Sequence, residues 1–229
     1  GKTDRRLYYR KVRIMRSRFD EQLLLLNREL IRMGALCEES IDLAAKALIA
    51  NDTKALNDIL PLDDEIDNME RSIEALCLKL LLQQQPVASD LRQISAALKM
   101  ITDLERIGDQ AKDIADIVAS LNGRAVSECE DIRQMAVAAM KMVTESIDAF
   151  VQRDTELAMK TIAHDDVVDN YFQKVKISLI QIITKNPEDG EYALDLMMIA
   201  KYFEKIGDHA VNIANWVLFS ITGTHVSED

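Results

Sequence analysis

The sequence predicts an all-α fold made of two tandem, internally repeated three-helix bundles, with six long antiparallel helices in total. Three observations support this prediction. The 229 residues include only 7 Gly and 3 Pro, which is typical of chains with long helices and few turns. Short polar breaks divide the chain into six segments, and apolar residues recur within them at the spacing of one helix face. The second half of the chain also repeats motifs of the first half.

The breaks are short, so consecutive helices are expected to lie antiparallel. They fall at 51–53, 85–86, 122–123, 153–155 and 186–190. The second segment shows the apolar periodicity clearly. Its apolar series is Ile59, Leu62, Ile66, Met69, Ile73, Leu76 and Leu80. Such a series marks the face of a helix that is buried against its neighbours.

Two motifs and two breaks recur in the same order in both halves. Asp-Asp-Glu-Ile-Asp-Asn at 63–68 returns as Asp-Asp-Val-Val-Asp-Asn at 165–170. Leu-Glu-Arg-Ile-Gly-Asp at 104–109 returns as Phe-Glu-Lys-Ile-Gly-Asp at 203–208. The breaks at Asp52 and Pro86 recur at Asp154 and Pro187. Repetition at a near-constant offset indicates a duplicated structural unit.

We therefore assign the first bundle to residues 15–123 and the second to residues 124–229, each with its own hydrophobic core. The junction is expected near 122–128. Residues 1–14 are expected to be vector-derived or a disordered arm, with a natural start at Met15, and they are left out of the fold prediction.

Charge and cysteine content restrict the class of protein. The formal net charge of −11 argues against a nucleic-acid partner, because phosphate binding needs clustered Lys and Arg. Cys37, Cys77 and Cys129 are far apart and are expected to be buried free thiols in a reducing compartment. No apolar run approaches the roughly 18 residues that span a bilayer. The protein is therefore expected to be cytoplasmic.

Acidic rows with a spacing of four lie beside the apolar faces of four predicted helices. The rows are Asp63 and Asp67 on the second helix, Glu105, Asp109 and Asp113 on the third, Asp165 and Asp169 on the fifth, and Glu204, Asp208 and Asn212 on the sixth. Like charges at this spacing destabilise a helix by roughly 0.2–0.5 kcal/mol per pair. A multivalent cation between neighbouring helices would offset this cost, and oxygen ligands suit Mg²⁺, Mn²⁺ or iron. These residues are therefore candidate metal ligands.

Two alternatives to a regulatory metal site remain open. Arg106, Lys112 and Lys205 could neutralise the rows, which would make the chain a metal-free helical adaptor whose acidic flanks bind basic partner surfaces. A di-iron carboxylate bundle would need Glu-x-x-His motifs, but Gly108 and Gly207 stand where the histidines would be. Each mid-helix glycine costs about 1 kcal/mol relative to Ala, so we expect a close helix contact at each. With no phosphate loop and no paired nucleophile and histidine, the chain is not expected to be an enzyme.

Three stretches of the sequence resemble the motifs of a known family. Leu-Glu-Arg-Ile-Gly-Asp at 104–109 and its counterpart at 203–208 are similar to a paired E/DxxxD signature. Gln-Pro-Val-Ala-Ser-Asp-Leu-Arg at 85–92 is similar to a QP-x-A-x-DLR segment, and His-Ala-Val-Asn-Ile-Ala at 209–214 to the end of a second repeat. These are motifs of the PhoU family, the accessory and regulatory proteins of bacterial phosphate-specific transport systems. The resemblance covers about residues 16–221.

The resemblance implies a homodimer of two-bundle subunits that binds Mg, Mn, Zn or Fe at the acidic motifs. It also implies a cytoplasmic negative regulator of phosphate uptake and phosphate-starvation signalling, peripheral at the inner membrane through its partners. Those partners would be the ATPase subunit of the phosphate ABC transporter and a membrane sensor histidine kinase. The family's metal positions correspond here to Glu105, Asp109, Asp113, Glu204, Asp208 and Asn212. Because Asn212 replaces the carboxylate of Asp113, the second site is expected to be weaker.

Overall fold

The computed structural model describes residues 2–50, 52–83, 86–121, 124 and 130–224, and for residues 2–10 and 83 it describes the backbone alone. Seven α-helices, one 3₁₀ turn and no strand occur in this part of the chain, which confirms the all-α prediction. The helices are α1 (Lys2–Ala50), α2 (Ala55–Gln83), α3 (Ala88–Ser120), α4 (Glu130–Gln152), α5 (Thr155–Ala163), α6 (Asp165–Lys185) and α7 (Gly190–Thr222). The 3₁₀ turn, Pro187–Asp189, leads directly into α7.

All six predicted segments are helical, but the fifth is divided at His164 into α5 and α6. The Val167 N–H donates to the His164 carbonyl, three residues back, which is a tighter turn than the α-helical spacing of four. In the first repeat Pro61 lies inside α2 near the equivalent position, and a proline there has no N–H to donate. Both repeats therefore interrupt helical hydrogen bonding just before their first acidic row.

The helices form two layers. One layer contains α2, α3, α7 and α6 side by side in that order, and α1 and α4 pack across it. The first bundle is α1 to α3 and the second is α4 to α7. The two bundles meet mainly along α3 and α7, which form the most extensive helix–helix interface in the described part of the chain. This arrangement places the two central helices next to each other, with α2 and α6 on the outside.

One continuous hydrophobic core runs through both bundles, so the expectation of a separate core in each bundle is wrong. Helix α3 buries Ala96 and Ala97, and later Ile107 and Gly108, in adjacent positions. A helix that buries neighbouring residues packs on more than one side. The apolar periodicity of α3 reveals one buried face, but it does not show that α3 also packs against the second bundle.

Three expectations from the sequence concern the chain's ends and compartment. Helix α1 begins at Lys2 and includes residues 2–14, and the origin of the segment 1–14 stays a prediction. Cys37 and Cys77 are buried free thiols, as predicted, whereas Cys129 and nearly all of the junction at 122–128 lie outside the described residues. In the described chain, no helix combines the length and apolar character that crossing a membrane requires.

Candidate functional site

The first acidic row of α2 meets that of α3 at a close helix contact. Gly108 packs against Ile66, and a Cβ on Gly108 would lie 2.9 Å from the Ile66 Cδ1 atom. Ile66 stands between Asp63 and Asp67 in α2, much as Gly108 precedes Asp109 in α3. The glycine therefore lets the two helices approach until their acidic flanks face each other, and the predicted close contact is confirmed here.

The electrostatics of this first cluster show that its carboxylates are crowded. The pKa of Glu105 is raised to about 7, mainly by burial and then by the charge of Asp109, with smaller contributions from Glu70 and Asp67 on α2. Burial, together with the charges of Asp63 and Asp109, also raises the pKa of Asp67. Carboxylates across the α2–α3 contact therefore disfavour each other's ionised form.

Local cations offset part of this negative charge. Lys112 Nζ donates to the buried Asp63 carboxylate at 2.9 Å. The Arg106 guanidinium lies 3.6 Å from Glu105 and 3.7 Å from Asp109, but its side chain is more than half exposed, which screens the attraction. The negative charge of Asp63 is therefore strongly compensated by Lys112, whereas the charges of Glu105 and Asp109 are compensated only weakly by Arg106.

The second cluster forms in the same way between α6 and α7. Gly207 packs against α6, and a Cβ there would lie 3.5 Å from both Asp165 Oδ1 and Val168 Cγ1. Asp165 Oδ1 is buried and accepts no hydrogen bond from the described residues. The pKa of Asp165 is raised to about 6 by burial and then by the charges of its acidic neighbours, of which Asp169 and Asp208 contribute most.

Lysines compensate the second cluster mainly on its α7 side. Lys201 forms an ion pair with Glu204, and Lys205 Nζ lies 2.7 Å from Asp208. Burial and the charge of Glu204 nevertheless raise the pKa of Asp169 on α6. The carboxylates on α6 are therefore the least compensated members of this cluster.

The third members of the α3 and α7 rows, Asp113 and Asn212, lie near the interface between the bundles. Asn212 Nδ2 donates to Asp103 Oδ1 at 3.2 Å, and His209 Nδ1 lies 2.9 Å from the same oxygen. Asp113 still interacts with the carboxylates of the first cluster. Burial raises its pKa most, and the charges of Asp109 and Asp63 raise it further. However, Asp113 also raises the pKa of Tyr202 on α7. The structure therefore brings nine of the ten predicted residues to the two clusters, and it joins the Asn212 amide to α3 instead.

Several polar residues at these contacts were not predicted from the sequence. Glu70, one turn beyond Asp67 on α2, has a pKa raised by burial and by Asp67 and Glu74, and its spacing from Asp67 could have revealed it. Asp103 could not have been found in this way, because its partners lie on α7, more than one hundred residues away.

Comparisons with known proteins agree with the duplicated architecture. The sequence profile of the PhoU domain matches the chain twice, over residues 30–118 and 132–217. The phosphate-specific transport system accessory protein PhoU homolog of Clostridium acetobutylicum is 34% identical over 210 residues, which cover 91% of this chain and 96% of that protein. The homolog of Pseudomonas aeruginosa is also 34% identical, over 217 residues that cover 91% of this chain and 87% of that protein.

Solved structures show the same fold. The crystal structure of PhoU from Pseudomonas aeruginosa aligns with a TM-score of 0.85 and 34% identity, covering 90% of this chain and 100% of that one. The phosphate transport system regulatory protein PhoU from Streptococcus pneumoniae aligns with a TM-score of 0.84 and 27% identity, covering 91% and 99%. This chain belongs to the PhoU family.

Family membership confirms the duplication, because each PhoU domain match contains one acidic cluster. The PhoU family consists of accessory and regulatory proteins rather than enzymes, so the prediction of a non-enzymatic protein is also confirmed. The di-iron alternative finds no support in the geometry either. At Gly108 even a Cβ would lie 2.9 Å from Ile66 Cδ1, so a histidine there would require Ile66 to shift, whereas a Cβ at Gly207 would make ordinary contacts at 3.5 Å.

The chemistry of the clusters fits a hard cation, although the present side-chain positions do not enclose one. Oxygen donors from two helices are typical of Mg²⁺ and Mn²⁺ sites. Burial, and after it the charges of neighbouring carboxylates, raise the pKa values of Glu105 and Asp165, so both carboxylates would gain from a cation beside them. Among the described side chains, however, no three His, Cys, Asp or Glu residues are arranged to hold a metal ion. Binding would require the carboxylates to rotate toward a common point and Lys112 to leave Asp63.

Proposed function

We propose that this chain is a cytoplasmic negative regulator of phosphate uptake and of phosphate-starvation signalling, which acts peripherally at the inner membrane through its partners. It works by binding the ATPase subunit of the phosphate ABC transporter and a membrane sensor histidine kinase, and it shifts the populations of their states. The main support is the double PhoU domain match over nearly the whole chain, together with relatives that are named accessory proteins of phosphate-specific transport.

Partner recovery tests this proposal. The tagged full-length chain is isolated from cells grown in excess phosphate, and the proteins that accompany it are identified by mass spectrometry. We expect the transporter ATPase and the histidine kinase to be enriched over a tagged unrelated helical protein. Recovery of neither partner would contradict the proposal. Light scattering of the purified chain tests the further prediction of a homodimer.

We also propose that each acidic cluster binds one or more ions of Mg, Mn, Zn or Fe. The ligands in the first cluster would be Asp63, Asp67, Glu105, Asp109 and Asp113, and in the second Asp165, Asp169, Glu204 and Asp208, with Asn212 free to join only if it leaves Asp103. The unpartnered, buried Asp165 Oδ1 atom and the raised pKa of Glu105 support this proposal. A bound cation would supply positive charge between α2 and α3, or between α6 and α7, and would fix the surface that partners contact.

Calorimetric titration of Mn²⁺ into metal-stripped protein tests the metal proposal. We expect the double variants Glu105→Ala with Asp109→Ala and Glu204→Ala with Asp208→Ala each to remove one class of sites. A matched control changes Glu38 and Asp42 of α1 to Ala, because this pair has the same helical spacing but lies outside both clusters. Equal binding by all three variants and the parent would exclude the clusters as metal sites.

A specific observation favours a second candidate, the metal-free adaptor. Lys112 and Lys205 already hold carboxylates of the two clusters at 2.9 and 2.7 Å, and the net charge of the chain is −11. In this hypothesis the acidic layer binds basic partner surfaces directly. Partner binding that persists in chelator and weakens with added salt would favour the adaptor, whereas loss of partner binding in chelator would favour the metal-dependent regulator.

A further inference from the structure

The amino-terminal part of α1 projects beyond the rest of the first bundle. Arg16 donates to Asp90 at 2.7 Å, and Asp90 lies in the first turn of α3, directly after the connection from α2. Among the described side chains of α1, which begin at Lys11, Phe19 is the first that is buried, and those of residues 11–18 are all exposed. The helix before Arg16 therefore extends about 20 Å past the α2–α3 connection. We call residues 2–18 the α1 extension.

Over residues 11–18, whose side chains are described, the α1 extension continues the apolar stripe of α1, and these side chains are exposed. Within the bundle this stripe includes Phe19 and Leu26, which are buried. Met15 and Val12 lie four and seven positions before Phe19, so they fall on the same side of the helix. Their exposed fractions are 42% and 45%. Ile14, which is 48% exposed, lies on the opposite side of the helix and is not part of the stripe. The exposed stripe therefore needs another surface if it is to leave water.

The α1 extension also carries most of the clustered positive charge of the chain. Its sequence contains eight Lys or Arg residues and one Asp, a net charge of +7, whereas the whole chain has −11, which leaves −18 for the remainder. Lys11 and Arg18 are seven residues apart and lie on one flank of the apolar stripe. On the other side Arg16 is paired with Asp90 and Asp20, and Arg13 lies further around the helix. The extension is thus an amphipathic helix whose apolar stripe has basic residues along both sides.

The acidic clusters are too distant to neutralise this charge. Asp90 marks the end of the bundle near the α1 extension, and Glu105 and Asp109 lie 15 and 19 residues further along α3. At 1.5 Å per residue this separation is about 22–28 Å, which exceeds the Debye length of about 8 Å at physiological ionic strength. The molecule therefore has a basic, partly apolar end and a separate acidic layer.

We infer that the α1 extension docks on an anionic membrane surface. A helix that lies in the membrane interface places its apolar stripe at the acyl boundary and its Lys and Arg side chains among anionic headgroups. Both features occur together here, whereas a nucleic acid would need only the charge. The inference does not depend on the proposed function, but it takes residues 2–14 as part of the native chain, in place of the vector-derived origin that the sequence predicts. The α1 extension lies outside the two segments that match the PhoU domain.

Vesicle flotation of the full chain tests the inference. The probes are vesicles of phosphatidylcholine alone and vesicles in which one third of the lipid is phosphatidylglycerol. We expect flotation with the anionic vesicles only, and loss of flotation at high salt. The triple variant Lys11→Glu, Arg13→Glu and Arg18→Glu should bind at least about tenfold more weakly. The variant Val12→Ser with Met15→Ser should also bind more weakly, because it removes the apolar part of the contact.

The control variant has the same change in net charge on the body of the protein. It changes Lys79, Lys176 and Lys185 to Glu, which are exposed residues of α2 and α6, and it should float like the parent. No flotation with anionic vesicles, unchanged flotation of the triple variant, or equal loss in the control would overturn the inference. If the chain instead forms low-salt oligomers that the triple variant abolishes, without binding vesicles, the extension contacts a second copy and the membrane inference is wrong.

Discussion

The two acidic clusters share one backbone plan but differ in charge. Each forms where a glycine of a central helix, Gly108 or Gly207, lets an outer helix approach. The first cluster joins six carboxylates once Glu70 and Asp113 are included, and it has Arg106 and Lys112 beside it. The second joins five once Asp166 is included, and it has Lys201 and Lys205 beside it. Asn212, the counterpart of Asp113, is bonded to Asp103 of the other bundle. A duplicated fold can thus keep its geometry while one copy loses negative charge, and we expect the first cluster to hold cations more tightly.

The two glycines offer the largest expected contrast. Gly108→Ala would place a Cβ 2.9 Å from the fully buried Ile66, so we expect a net loss of about 1 kcal/mol, because overpacking of about 1–3 kcal/mol exceeds the helical gain. Gly207→Ala would meet only ordinary contacts at 3.5 Å and should gain up to about 1 kcal/mol. Urea unfolding in chelator measures both. Shifts of the same sign would show that the two helix contacts are equally tight.

A pH series on the metal-free protein compares the crowded carboxylates. The pKa of Glu105 is about 7 in the folded chain, above its ordinary 4.5, so its ionisation opposes folding fully above pH 7 and not at all below pH 4.5. Glu105→Gln should therefore stabilise the chain by about 1–2 kcal/mol at pH 8 in chelator, and this gain should vanish near pH 4.

The corresponding change in the second cluster is Asp165→Asn. Its pKa is raised to about 6 from 3.8, so its gain should disappear over a lower range, as the pH falls from 6 toward 3.8. Thermal unfolding of both variants across pH gives the two midpoints. Identical pH dependence, or a gain at pH 4 that equals the gain at pH 8, would contradict the difference between the clusters.

Asp103 of α3 and Tyr202 of α7 occupy equivalent positions of the two repeats, but they make different contacts at the interface between the bundles. Asp103 contacts both His209 and Asn212, whereas Tyr202 occupies the corresponding position of α7. We expect Asp103→Ala to cost about 1–2 kcal/mol, because two polar groups lose their partner, and Tyr202→Phe to cost less than about 0.5 kcal/mol. The denaturant midpoints of the two variants measure these losses of stability. A larger effect of Tyr202→Phe would show that the other end holds the bundles together.

The smallest expected effect concerns the internal cations. Lys112→Gln removes the ammonium that competes for the largely buried Asp63 side chain, so Mn²⁺ affinity of the first cluster should rise a few-fold, or about 1 kcal/mol. Lys205→Gln should change the second cluster less, since both members of the Lys205–Asp208 pair are more than 40% exposed. Calorimetry compares the two. Weaker binding by Lys112→Gln would mean that the lysine supports the site instead of competing for it.

The helical periodicity and the repeated motifs predicted the fold class, the order of the helices and nine residues of the two clusters. They succeeded because helix faces and i, i+4 rows are local properties that a short stretch of sequence specifies. The fate of Asn212 could not be predicted in this way. Its row continues that of Asp208 in sequence, but its partner Asp103 lies on α3, more than one hundred residues away, and only the packing of the two bundles brings the two side chains together.

By itself the sequence determined that the chain is helical, duplicated, and acidic beside its apolar faces. Only the tertiary structure decided that the two bundles share one core, since nothing in the pattern of α3 or α7 shows which second helix covers an apolar flank. The contact of Gly34 in α1 with Ile147 in α4 has the same character. Local patterning fixes which face of a helix avoids water, whereas the partner of that face depends on how all the helices fill space together.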